Sequence, residues 1–168
     1  SALNPHRFPV MVGKIRRRFF GRRGGIDASG YKAWLQENAM PVDRWCEAID
    51  RELWRESQNF VEGLFGRYET LKQRLPQGLG GNACVRLLYF VTRRCRPETV
   101  LETGVALGFS SQTFLKAMQM NGSGRLYSSD FPYFRLPDAE KYIGIMVEDE
   151  LKKNWTLRID GDDRNIPA

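Results

Sequence analysis

Histidine is almost missing from this chain; His6 is the only one. Cysteine is nearly as scarce. Cys46, Cys84 and Cys95 lie far apart, and no Cys-x-x-Cys pair occurs. These gaps argue against a zinc site built from histidine or thiolate pairs, and against a disulfide framework. Unpaired thiols fit a reducing compartment, so a cytoplasmic setting is expected. No apolar run has the length of a bilayer span, and no signal-peptide pattern is visible. Acid is missing from one region only. Residues 1–25 hold Lys14 and six arginines (Arg7, Arg16, Arg17, Arg18, Arg22, Arg23) without one Asp or Glu, which leaves 19 basic against 20 acidic residues elsewhere. The formal net charge of +6 therefore belongs to the N-terminal arm.

That arm, residues 1–25, reads as basic and flexible. Pro5, Pro9, Gly13, Gly21, Gly24 and Gly25 interrupt it, so an extended or mobile segment is expected. Its Lys14–Phe20 run mixes charge with aromatics; it reads first as a solvated arm, with weak contact to an anionic membrane surface, and so a peripheral location, as the alternative. A nucleic-acid domain would repeat the basic stripe in its folded part, and this one does not. Nucleic acid is therefore not the expected partner.

The remaining residues divide at about 81. Region 26–81 reads as helical and serves as a lid or a dimer face. A short helix is expected over 28–38, with Tyr31, Trp34 and Leu35. Pro41 suits the first turn of a longer helix running to about Leu75. Val42, Trp45, Ile49, Leu53, Phe60, Leu64 and Leu71 draw its apolar stripe. Trp54 and Tyr68 fall beside or behind the stripe, and Gly63 and Gly66 mark where the helix is expected to divide. Pro76–Gly81 reads as a loop.

Region 82–168 alternates strands and helices. A helix over 82–94 turns Leu87, Leu88 and Val91 inward, and Pro97 stops it. Strands are expected at 99–103, 125–129 and 155–159. Between the first two, Ser110 suits the cap of a helix that buries Phe114, Leu115 and Met118 and ends at Asn121–Gly124. Between the last two, Pro137 opens a helix with Ile143, Met146, Val147 and Leu151 on one face, and Asp138 and Glu140 as first-turn acids. Connecting parallel strands in this way builds a right-handed α/β sheet.

The chemistry gathers in Glu102-x-Gly104-x-x-x-Gly108-x-Ser110 and in Asp130 at the end of the second strand. Glycine lets a turn press against a ligand. A carboxylate offers adjacent acceptors to a vicinal diol. A dinucleotide site would show Gly-x-Gly-x-x-Gly instead, and Val105 and Ala106 stand where more glycine would help. The segment resembles motif I of the class I S-adenosylmethionine-dependent methyltransferases, in particular their small-molecule O-methyltransferase-like branch. The resemblance covers roughly residues 82–168.

It implies a Rossmann-like sheet and S-adenosyl-L-methionine as cofactor. Gly104, Ala106 and Gly108 would line the loop under the methionine part, with Ser110 and Ser111 opening the helix beneath. Glu102 would orient the loop base or reach the amino group through water. Asp130 would hold the ribose hydroxyls, Phe131 would cover an adenine face, and Asp162, in Gly161-Asp162, would approach the adenine amino group. Ile166-Pro167 stands where the family has leucine-proline.

Members of this family continue through strands four to seven, which supply the catalytic residues and the acceptor wall. The chain therefore reads as the cofactor-binding part of a longer fold, inactive alone, with a small hydroxylated molecule as acceptor. No general base stands out. Asp160, Asp162 and Asp163 read as cofactor-side or solvent-facing, and no metal is expected. Self-association through residues 41–75, or through a sheet edge left open after the third strand, is a further expectation. An NAD-type domain of an oxidoreductase and a non-catalytic α/β interaction module remain as alternatives.

Overall fold

Short runs rich in β-branched and apolar residues, bounded by turn residues, make strands. Thr99–Thr103 (β1), Arg125–Ser129 (β2) and Trp155–Arg158 (β3) pair in parallel in the order β1-β2-β3. The register sets Glu102 opposite Ser128 and Leu126 opposite Trp155. The computed structural model describes residues 8–20, 28–75, 79, 84–133 and 136–166. The helices are Phe8–Phe20 (α1), Ala28–Asn38 (α2), Val42–Lys72 (α3), Val85–Cys95 (α4), Phe109–Asn121 (α5) and the single turn Asp162–Asn165 (α6). The α/β class and its strand-turn-helix-strand order are those expected. Because β2 is central, the edges of the described sheet are β1 and β3.

Alternation along the strands sorts the side chains. Leu115, Leu126, Val147 and Leu151 form a buried cluster, and Val100 and Trp155 pack against it. This is the face that α5 covers. The other face carries Leu101, 60% exposed, and Tyr127, 39% exposed. A cavity of about 350 Å³ lies on it, lined by Leu101, Tyr127, Thr156, Arg158 and Ile166 among others. Parallel sheets are ordinarily covered on both sides. Among the described residues this one is covered on one.

The long helix breaks, but not at its glycines. Asp50 has extended backbone angles (φ −160°, ψ 95°), and its Oδ1 accepts the Leu53 N–H at 2.9 Å. Asp50 thus caps a second helical segment, as aspartate does at helix starts. The break shifts the apolar phase. Val42, Trp45 and Ile49 stay exposed, while Trp54, Ser57 and Leu64 are buried. Trp54, expected beside the stripe, is therefore at its centre.

On α4 the buried face is Val85, Tyr89, Phe90 and Thr92, and Val91 points outward instead of inward. Aromatic partners on α3 select that face. Tyr89 stacks on Phe60 at 4.5 Å, and Trp54 meets Phe90 edge-on at 5.6 Å. Glu56 reinforces the contact by accepting the Tyr89 hydroxyl at 2.7 Å and the Arg93 Nε–H at 2.9 Å. Burial opposes the charge on Glu56, and these two donors outweigh it, holding the carboxyl below its ordinary range.

Two further expectations change. Residues 8–20 are helical rather than extended. Pro9 stands in the first turn, where its missing N–H costs nothing, and Gly13 is tolerated. Residues 137–154 form two 3₁₀ turns, Ala139–Tyr142 and Asp149–Asn154, not one helix. Asp138 is left-handed (φ 48°) and Gly144 is too (φ 72°), which interrupts the helical path. Ile143, Met146, Val147 and Leu151 are nevertheless buried, as expected. Most of the 76–81 loop lies outside the described residues, although Leu79 is buried in a cluster with Leu64, Val85, Leu107, Phe109 and Met146. Among the described residues no helix is long and apolar enough to cross a membrane.

Candidate functional site

In open α/β sheets, ligands bind beyond the carboxyl ends of the strands. Here β1 ends in a five-residue turn before α5. Gly104 (φ 82°), Ala106 (φ 50°) and Gly108 (φ 91°) are all left-handed. For alanine that conformation costs about 1–2 kcal/mol. Asp130, just past β2, holds it. Its Oδ2 accepts the Ala106 N–H at 2.7 Å and the Val105 N–H at 3.0 Å. Its main chain extends the bracing, because its N–H donates to the Arg158 carbonyl and its carbonyl accepts the Gly161 N–H. One residue therefore ties together the ends of β1, β2 and β3.

The two glycines of the turn have different reasons. Among the described residues a Cβ on Gly104 would meet nothing within 4 Å, which leaves the space above it open to a ligand. A Cβ on Gly108 would stand 2.8 Å from the Gly144 Cα. Residues 144–146 lie against the turn. The Gly144 N–H donates to the Ala106 carbonyl and the Met146 N–H to the Leu107 carbonyl, each at 2.9 Å. Gly108 serves this packing.

Glu102 is buried on the inner face of β1. Its carboxylate accepts the Ser110 hydroxyl, the Ser111 hydroxyl at 2.6 Å and the Ser128 hydroxyl at 2.7 Å. Ser128 in turn accepts the Trp155 indole N–H at 2.8 Å. Glu102 thus ties β1 to the start of α5 and to β2. Ser110 does not cap α5. The cap position is Gly108, without a side-chain hydrogen bond. Sequence reasoning did not single out Ser128, since only the strand register reveals that it faces Glu102.

The β3 side is built around Ser129. Its hydroxyl donates to Asp162 Oδ1 and accepts the Asn165 amide at 2.9 Å. That amide also reaches the Arg158 carbonyl at 3.0 Å. Asp162 is exposed at the start of α6, beyond Gly161. Asn165 is a second residue the sequence did not mark. Phe131 is half-buried, and its N–H donates to Asp130 Oδ1 at 2.6 Å. Ile166 lines the cavity on the open sheet face, and Pro167 lies outside the described residues. Among the described residues no three His, Cys, Asp or Glu side chains gather as metal ligands would. A separate polar groove of about 530 Å³ runs between α3 and α4, with Glu56, Arg93, Arg94 and Arg96 in its walls.

The turn, Asp130, Phe131 and Asp162 thus all follow the carboxyl ends of the strands. A carboxylate has roughly four acceptor positions, and backbone N–H groups occupy three at Asp130. One hydroxyl can bind directly. A second requires the exchange of a loop contact.

No family model matches the chain, and no curated protein matches it. Among solved structures it is similar to an SAH-bound methyltransferase from Podospora anserina, at 15% identity and a TM-score of 0.44, over 86% of this chain and 55% of that one. The chain thus spans about half the length of that protein.

Proposed function

We propose that the chain binds S-adenosyl-L-methionine at the carboxyl ends of β1–β3 and belongs to an enzyme that transfers the methyl group to the oxygen of a small hydroxylated acceptor. The observation that carries this reading is how the turn is built. Gly104 faces open space beside Asp130, while the N-terminus of α5 is covered. A dinucleotide needs that helix end for its pyrophosphate. Here Gly144 and Met146 bond to the turn carbonyls, and Leu107 and Phe109 are buried. The arrangement suits a ligand that meets the turn and the Asp130 carboxylate without a phosphate to place.

In this reading Gly104 gives room to the methionine part and Asp130 accepts from the ribose. Phe131 and Asp162 flank the adenine. Glu102 keeps the turn in place through Ser110, Ser111 and Ser128. When bound, the cofactor supplies a methyl group on a sulfonium, already strongly electrophilic, so the protein's task is chiefly alignment.

Titration calorimetry with S-adenosylhomocysteine and with NAD tests the reading. Saturable binding of the first, and weaker or no binding of NAD, is expected. Asp130→Ala should weaken S-adenosylhomocysteine binding by about 1.5–3 kcal/mol, the range for hydrogen bonds to a charged group. Because Asp130 also braces the turn, melting of the ligand-free variant should fall. NAD binding without a response to S-adenosylhomocysteine would remove the proposal, as would an Asp130→Ala variant of unchanged affinity.

A further inference from the structure

Among the described residues, the helix α1 contributes neither to the site above nor to the principal packing contacts between elements of the fold. Its composition is one-sided. Phe8–Phe20 contains Lys14, Arg16, Arg17 and Arg18 and no acid. Phe8, Val12 and Ile15 are 58%, 45% and 39% exposed. They stand at i, i+4 and i+7, so they share one face of the helix. In the sequence Phe19 continues the same spacing. The helical period puts positions 16 and 18 on opposite flanks of that stripe. An apolar stripe between basic flanks is the pattern of a helix lying in a membrane interface.

We infer that α1 is an interfacial helix that lays its Phe8–Val12–Ile15 face into the headgroup region of an anionic lipid surface. Three arguments support it. A helix of 13 residues is marginal in water unless a surface takes its apolar face. Arg7, Arg22 and Arg23 adjoin the helix in sequence and extend the charge at both ends. The rest of the chain is nearly balanced, so the attraction is confined to this segment. A nucleic-acid backbone would use the charge but not the exposed stripe. An anionic bilayer uses both.

Co-sedimentation of the full chain with lipid vesicles tests the inference. Phosphatidylcholine vesicles are compared with vesicles in which about a third of the lipid is phosphatidylserine. Binding to the anionic vesicles is expected to be roughly tenfold tighter or more, since each basic residue near such a surface adds about a fivefold factor. High salt should weaken it. Ile15→Asp breaks the stripe and Arg16→Glu reverses one flank. Each is expected to lower anionic-vesicle binding severalfold while thermal melting stays unchanged, because Ile15 and position 16 are exposed. Equal binding to both vesicle types, or to neither, overturns the inference. Wild-type binding by Ile15→Asp overturns it too, since charge alone would then account for the contact. Retention of the chain on duplex DNA or RNA without vesicle binding also overturns it, and assigns the helix to nucleic acid.

Discussion

Replacing Glu102 with alanine is expected to lower the free energy of unfolding by about 2–6 kcal/mol. Three serine hydroxyls donate to this one carboxylate, and Ser111 and Ser128 are buried. Without it, each buried donor loses its partner at about 1–3 kcal/mol. The loss propagates, because Ser128 also receives the Trp155 indole. A domain of this size has only about 5–15 kcal/mol in total, so the variant should be close to unfolding. Glu102→Gln keeps one carbonyl acceptor and should cost less than half as much. Urea unfolding followed by circular dichroism measures both. A loss of under about 1 kcal/mol for the alanine variant would mean that the serines find other partners, and that Glu102 does not hold the turn.

The second large effect is expected at Gly144. A Cβ there would overlap the Trp155 ring, and the residue is left-handed (φ 72°). The ring is held by its hydrogen bond to Ser128 and by its place at the start of β3. Overpacking of this kind costs about 1–3 kcal/mol, and the backbone conformation adds about 1–2 kcal/mol. Gly144→Ala should therefore destabilise by about 2–5 kcal/mol. Gly104→Ala is the informative comparison. Among the described residues its Cβ meets nothing within 4 Å, so only the backbone strain of about 1–2 kcal/mol remains in the free protein. Its larger effect should be on S-adenosylhomocysteine affinity. Equal destabilisation by the two substitutions in urea unfolding would contradict the distinction between a packing glycine and a ligand-facing one.

The sheet was readable in advance because its signals are local. Thr99–Thr103 and Arg125–Ser129 are short β-rich runs between Pro97, Gly104, Gly124 and Asp130, and the structure has the same bounds. Gly122 closes α5 in a left-handed cap, as the Asn121–Gly124 run implies. What failed depends on partners distant in sequence. The spacing of Ile143, Met146, Val147 and Leu151 imitates a helix. The N–H groups of Gly144 and Met146 bond to the turn after β1 instead of to their own segment. Likewise the face of α4 was decided by Phe60 and Trp54 on α3.

Asp50 is a different case. A helix-capping residue stood in the sequence, within a run whose apolar pattern continued on both sides. Around the turn, the positions of Glu102 in β1, Gly104 after it and Asp130 just past β2 were legible from the strand-turn-helix pattern. Ser128 and Asn165 were not, because their roles follow from register and from the fold of α6. Ser110 was marked as a cap, and a nearby buried carboxylate claimed its hydroxyl.

The placement of the adenosyl ligand is tested most directly by amide hydrogen exchange of the full chain, with and without saturating S-adenosylhomocysteine. Slower exchange is predicted at residues 104–106 and 130–131, where the turn and Asp130 meet. No change is predicted at residues 93–96, which border the groove between α3 and α4. Saturation of the chain without protection in the turn, or with protection confined to that groove, would contradict the assignment of the site to the strand ends.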